Sequence, residues 1–444
     1  MLRRLFSKFF PIILTTTALL MSLCFFVYRK INSKENENIK TQSPIITADK
    51  ISNENTSYIE NNSQEEQEAE NNSETKTTSN DDEMRAVWVP FTSLDLSSSD
   101  KQKDEQGFKE LFDKIIKESK KRNMNTLIVH VRPFGDAMYP SKFFPWSHLL
   151  TGKQGQNPGY DPLEYMVKAT HKAGLKIHAW INPFRIQIEK TPNEISDDNP
   201  YCMWTKSGDK KFTSAVVDWN EKKFYNPASS EARKLILNGI REIVNNYKID
   251  GIHFDDYFYP NDENDISKEN YEEYCKSMGE NSTPISFSEF KKNNINELIS
   301  GTSNIVKGCK PSIPFGISVA CDPNYNATIG ADVETWGSMP GYIDYLCPQI
   351  YMSFKHNTLP FDKMAEKWRN LVSEKSIKFY LGLGVYKAGN KTVDGGTWNE
   401  KSILSKEIEF GRKINCDGFM LFSFDSFLEK QSEEEVASVS KMFN

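Results

Sequence analysis

The stretch Ile249-Asp250-Gly251-Ile252-His253-Phe254-Asp255-Asp256-Tyr257-Phe258-Tyr259-Pro260 decides the reading of the chain. Apolar Ile252 and Phe254 mark a buried strand, which gives way at once to two adjacent carboxylates and three aromatic rings. Side chains alternate along a strand, so His253, Asp255 and Tyr257 are expected on one face, with Ile252, Phe254 and Asp256 on the other. If Gly251 and His253 face a barrel axis, Asp255 does too, at the strand end where parallel α/β barrels place their chemistry. Exposed rings at Tyr257, Phe258 and Tyr259 beside carboxylates suit the apolar face of a sugar.

Outward from this strand, the same pattern recurs. Strands are expected at Arg85 to Phe91, Thr126 to Arg132, Lys176 to Asn182, Gly251 to Tyr257, Pro314 to Ala320, Ile343 to Tyr351, Lys378 to Val385 and Gly418 to Phe424. Between them lie amphipathic helices such as Gly107 to Arg122, with Phe108, Leu111, Phe112, Ile115 and Ile116 on one face, and Glu231 to Tyr247. Strict alternation of strands and helices implies a parallel sheet, and eight such units fit an α/β (β/α)8 TIM barrel over residues 84–444. An open doubly wound sheet is the poorer fit, because no GxGxxG or Walker sequence is present.

Several strand ends carry polar or aromatic groups that a barrel gathers on one rim. Arg132 and Asp136 follow the second strand, Trp180, Asn182 and Arg185 the third, Gln349 and Tyr351 the sixth, and Asp425 the eighth. With Tyr257 they supply the hydrogen bonds and stacking faces that a polyhydroxylated ligand needs. Glycosidic bond cleavage calls for two carboxyl groups. Asp255 is the first choice and Asp256 is its sequence neighbour. Because Asp256 is expected to point away, Asp136, Asp322 and Asp425 also stand as partners. No acidic residue ends the seventh strand body, and Asp394 lies in the loop beyond. His130, His178 and His253 occupy similar places on three strands, but without HxH or HExxH spacing they read as a hydrogen-bonded core layer rather than a metal site. No cofactor is implied.

Composition sets the remaining bounds. The 444 residues are 38% hydrophobic and 12% aromatic, with a formal charge of −6, which gives no hint of nucleic-acid binding. Seven cysteines lack CxxC spacing, and most of them read as small buried hydrophobes. Residues 1–31 contain an uncharged run from Phe9 to Tyr28 of the length that crosses a bilayer, with Arg3, Arg4 and Lys8 before it. The expectation is a single-pass anchor in the cell membrane with the rest of the chain outside. A cleaved signal peptide is the rival, although no A-x-A-like site ends the run, and Leu23 before Cys24 does not suit lipidation. Residues 32–83, rich in Asn, Glu, Ser and Thr, read as a disordered polar linker.

These residues carry a resemblance. Arg85-Ala86-Val87-Trp88-Val89, Val131-Arg132-Pro133 with Gly135-Asp136-Ala137-Met138-Tyr139, His178 to Arg185, Asp250 to Pro260 and Pro348-Gln349-Ile350-Tyr351 resemble, in order, the glycosyl hydrolase-like GHL10 family. The resemblance implies a TIM barrel acting outside the cytoplasm on glycans, with members implicated in cutting peptidoglycan strands that have lost their stem peptides. Phe290 to Asn296 departs from the family's usual Trp-Arg-Arg start. The central strand is also similar to the DGxDxDxE strand of chitinase-like hydrolases, but Tyr257 stands where their Glu would be, so that mechanism does not carry over. The expected partner is therefore a cell-wall polysaccharide substrate. A membrane-tethered glycan-binding module without hydrolysis is the alternative.

Overall fold

The computed structural model describes residues 83–97, 102–260, 266–279 and 282–444. The expected membrane run and nearly all of the expected linker lie outside the described residues. Glu83, at the end of that linker, pairs with Arg412 through two contacts of 2.8 Å.

Eight parallel strands close into a barrel. In chain order they are β1 (Met84–Val89), β2 (Thr126–Arg132), β3 (Lys176–Ile181), β7 (Gly251–Phe254), β8 (Phe315–Ala320), β9 (Tyr345–Gln349), β10 (Lys378–Gly384) and β11 (Gly418–Phe422). Between the third and fourth of them, β4 (Arg185–Gln187), β5 (Val216–Trp219) and β6 (Lys222–Tyr225) form a small antiparallel sheet of order β4-β6-β5 that the sequence reading missed. Its strands are too short to show a clear period of two.

The alternation of each barrel strand sorts its side chains into two cores. Val87, Val89, Leu127, Val129, Ile177, Ala179, Ile252, Phe254, Ile317 and Leu381 join the core shared with the surrounding helices. Ala86, Trp88, Ile128, Trp180, Tyr345, Cys347, Tyr380 and Met420 fill the barrel itself. Two glycines make room for rings there: a Cβ on Gly251 would sit 2.7 Å from the His178 ring, and one on Gly316 would run into Tyr345.

The outer helices follow from apolar stripes with polar caps. Glu105–Lys121 buries Phe108, Phe112, Ile115 and Ile116 against the sheet, and Asp104 caps its start by accepting the Gly107 N–H. Ser230–Asn246 buries Ile236, Ile240, Ile243 and Val244, capped by Ser229. No helix among the described residues is long and apolar enough to cross a membrane. The cysteines are less buried than expected, since only Cys321 and Cys347 of the six described are fully buried and Cys309 is exposed.

Strand register corrects the reading of the three histidines. His130 is level with Trp180, and Trp180 with His253, whereas His178 pairs with Ile128 and Gly251 one layer below. His253 and His178 are both bonded to the Tyr345 hydroxyl, at 2.9 and 3.1 Å, and His253 Nε2 accepts the Trp88 indole N–H at 3.1 Å. These two are core residues. His130 is different and faces the mouth of the barrel.

Candidate functional site

The strand β7 ends at Phe254, whose partners are Ile181 and Ile317. Beyond it the backbone turns, with Phe258 N–H donating to the Asp256 carbonyl at 3.1 Å and Tyr259 N–H to that of Ile329 at 3.2 Å. Strict alternation therefore stops before the carboxylates. The expectation that Asp256 points away from Asp255 is corrected: both line one open pocket at the C-terminal mouth of the barrel. Only Tyr257 of the three rings is exposed, at 54%, while Phe258 and Tyr259 are buried in the outer core.

Asp255 is buried and held from several sides. Trp180 Nε1–H donates to its Oδ2 at 3.1 Å, and Asn182 Nδ2 lies 3.1 Å from each of its oxygens. Burial pushes its pKa above the usual carboxylate value, against the pull of Arg185, Asn182, Trp180 and the Tyr257 backbone N–H. Asp256 is pushed further, to about 7, by burial first and then by the charge of Asp255. Its own backbone N–H, the Gln349 side chain and Arg185 oppose the shift. Two neighbouring carboxyls thus sit in different environments, one with donors around both oxygens and one poised to keep its proton near neutrality.

Arg185 is the buried cation beside them. Its Nε donates to the Pro133 carbonyl at 2.7 Å, and its guanidinium lies 5.0 Å from the ring centres of both Phe134 and Tyr257. Asn182 Oδ1 accepts the Arg185 backbone N–H at 3.1 Å, so one amide fixes both charges of the site. Gln349 and Tyr351 line the same pocket with Trp88, Phe91, Ser318 and Phe422. Tyr351 stacks on Phe422, with ring centres 5.6 Å apart, and meets Tyr386 edge-on at 5.8 Å.

Three expected rim residues are placed elsewhere. Arg132 is buried, donating to the Phe134 and Pro183 carbonyls at 3.4 and 3.0 Å with its guanidinium over the Phe144 ring. Asp136 is fully buried and accepts from His148 Nδ1 and Gln154 Nε2 at 2.8 and 3.0 Å. Asp425 accepts the hydroxyls of Thr92 and Ser93 at 2.7 and 2.6 Å, closing the turn after the last strand onto the one after the first. Asp322 caps the helix Pro323–Thr328. Asp394 accepts the Trp398 indole N–H at 2.7 Å and pairs with Lys387. Asp255 and Asp256 are the two carboxylates among the described residues that line this pocket.

The sequence reading passed over Tyr325, Tyr386, Phe91 and Phe422. Tyr325 is 42% exposed and feels the charge of Asp256, and Tyr386 is 40% exposed. The available signal was their position just past the ends of β8 and β10. Among the described residues, no group of three or more His, Cys, Asp or Glu side chains is arranged to hold a metal ion.

A parallel barrel with a paired-carboxylate, aromatic-walled pocket at its C-terminal mouth is built on the plan of the TIM-barrel glycoside hydrolases. The chain belongs to the Glycosyl hydrolase-like 10 family, whose model matches residues 83–400. It is 34% identical over 365 residues to glycosyl hydrolase YngK of Bacillus subtilis, spanning 77% of this chain and 68% of that one. To glycosyl hydrolase DigH of Escherichia coli K12 it is 30% identical over 384 residues, spanning 80% and 83% of the two chains. The barrel also resembles the PgaB (BpsB) glycoside hydrolase domain from Bordetella bronchiseptica, with a TM-score of 0.54 at 14% identity over 79% of this chain and 97% of that one. The catalytic domain of β-amylase from Paenibacillus polymyxa gives a TM-score of 0.52 at 13% identity over 82% and 98%. At such identities the likeness is one of fold.

Proposed function

We propose that this chain is an extracytoplasmic glycoside hydrolase that cuts cell-wall glycan, with peptide-free peptidoglycan strands as its substrate. The observation that carries the reading is the chemical difference between Asp255 and Asp256 within one pocket. Asp256, pushed up to about 7, holds a proton to give to the glycosidic oxygen as the bond breaks. Asp255, fixed by Asn182 and Trp180, supplies the negative charge that stabilises the oxocarbenium-like transition state or activates the attacking group. Tyr257, Tyr351 and Phe422 offer ring faces for the sugar, and Gln349 and Arg185 offer hydrogen-bond donors.

The substrate class rests on the family resemblance, and the location rests on the uncharged Phe9 to Tyr28 run and the polar stretch that follows it. The test is release of reducing ends from purified, peptide-free glycan strands. Binding to those strands without release would favour the tethered-binder alternative. Protease added to intact protoplasts should shave the barrel from the surface, and a protected barrel would overturn the location.

A further inference from the structure

His130 is buried, lines the pocket and stacks flat on Trp180. Its Nδ1 accepts the backbone N–H of Phe91 at 3.2 Å, so the neutral ring carries its proton on Nε2. That Nε2–H has no hydrogen-bond partner among the described residues. Asp255 Oδ2 lies 3.9 Å from it, too far for a hydrogen bond. Burial keeps the imidazolium form out of reach, which leaves a donor without a charge. The stacking against Trp180 and the bond from Phe91 prevent the ring from turning to satisfy Nε2 elsewhere.

A single oxygen placed about 2.8 Å from each atom spans the 3.9 Å gap. It must accept from the imidazole and donate to the carboxylate, and a hydroxyl does both. A carbonyl or ether oxygen can only accept. We propose that His130 Nε2–H and Asp255 Oδ2 form a clamp for one hydroxyl of the sugar that enters the pocket. His130 is then a substrate-binding residue rather than a core histidine. The proposal rests on the glycan reading above and specifies which atoms recognise the sugar.

The test is calorimetric binding of the full chain to a peptide-free tetrasaccharide of β-linked N-acetylhexosamines and to its monodeoxy analogues. His130→Leu should weaken binding by about tenfold or more, the worth of a buried hydrogen bond, and lower the melting temperature without unfolding the chain, because the Phe91 N–H loses its acceptor. His130→Gln, whose Nε2–H reaches a similar position, should bind within about threefold of wild type, well inside that tenfold loss. One monodeoxy analogue should bind wild type weakly and lose nothing further with His130→Leu. Unchanged binding by His130→Leu overturns the clamp alone. So does an equal, additive loss with every analogue, because that marks a structural role. Slower turnover with unchanged binding overturns the sugar assignment in favour of a bridging water. A wild-type chain that binds none of these sugars overturns the clamp and the glycan reading together.

Discussion

Asn182 Nδ2 lies 3.1 Å from both oxygens of Asp255. Because Asn182 Oδ1 is already committed to the Arg185 backbone N–H, its amide cannot flip without losing a bond at each end. Asn182→Ala should therefore leave the barrel folded but free Asp255 to rotate. A loss of about tenfold to a hundredfold in kcat is expected, because orientation is forfeited while the carboxylate remains. Steady-state kinetics on soluble glycan fragments beside thermal melting would check it, and an unchanged kcat would remove Asn182 from the site.

Asp256→Asn should cost at least about a hundredfold in rate on natural glycan, the usual worth of a general acid. An aryl glycoside with a good leaving group needs little protonation, so the variant should keep most of its activity there. Equal losses on both substrates would assign Asp256 to a different role.

With Asp256 held at about 7, activity should fall as pH rises through neutrality, because the acid loses its proton. The same shift bears on stability. The folded pKa is raised above the unfolded value of 3.8, so the folded state binds the proton more tightly. Its contribution is therefore complete below about 4 and fades as pH rises toward 7, by a few kcal/mol at most. Asp256→Asn should flatten that decline, and urea denaturation at pH 4 and pH 8 would show whether it does.

Asp255→Asn should abolish cleavage, by more than about a hundredfold, while glycan pull-down persists. The new amide must turn an N–H toward Asn182 or Trp180, both donors, so folding stability should drop by about 1–3 kcal/mol. A variant keeping more than about a tenth of the wild-type rate would show that the charge of Asp255 is dispensable, since such a rate exceeds what loss of the group allows.

Chelator should leave activity intact, because His253 spends both nitrogens on Tyr345 and Trp88 and His178 spends its Nδ1 on the same Tyr345 hydroxyl. Inactivation by EDTA that zinc reverses would make the histidines ligands instead.

The sequence determined the barrel, since eight apolar strands with helical stripes between them are local patterns that hydrophobic periodicity reads directly. It also marked Asp255, Trp180, Asn182, Arg185, Gln349 and Tyr351, because polar residues just after an apolar strand body collect at the barrel mouth wherever the strands are parallel. Only the tertiary structure decided the rest. The end of β7 at Phe254 depends on its pairing with β3 and β8 and on the Tyr259 bond to Ile329, contacts remote in sequence that turn Asp256 into the pocket. Arg132 and Asp136 went inside because residues far along the chain, Pro183 and Gln154, offered them hydrogen-bond partners. Inter-strand register, which no single strand encodes, put His178 one layer below the level that His130 shares with His253, and only the packing of the barrel mouth set His130 in the pocket, 3.9 Å from Asp255.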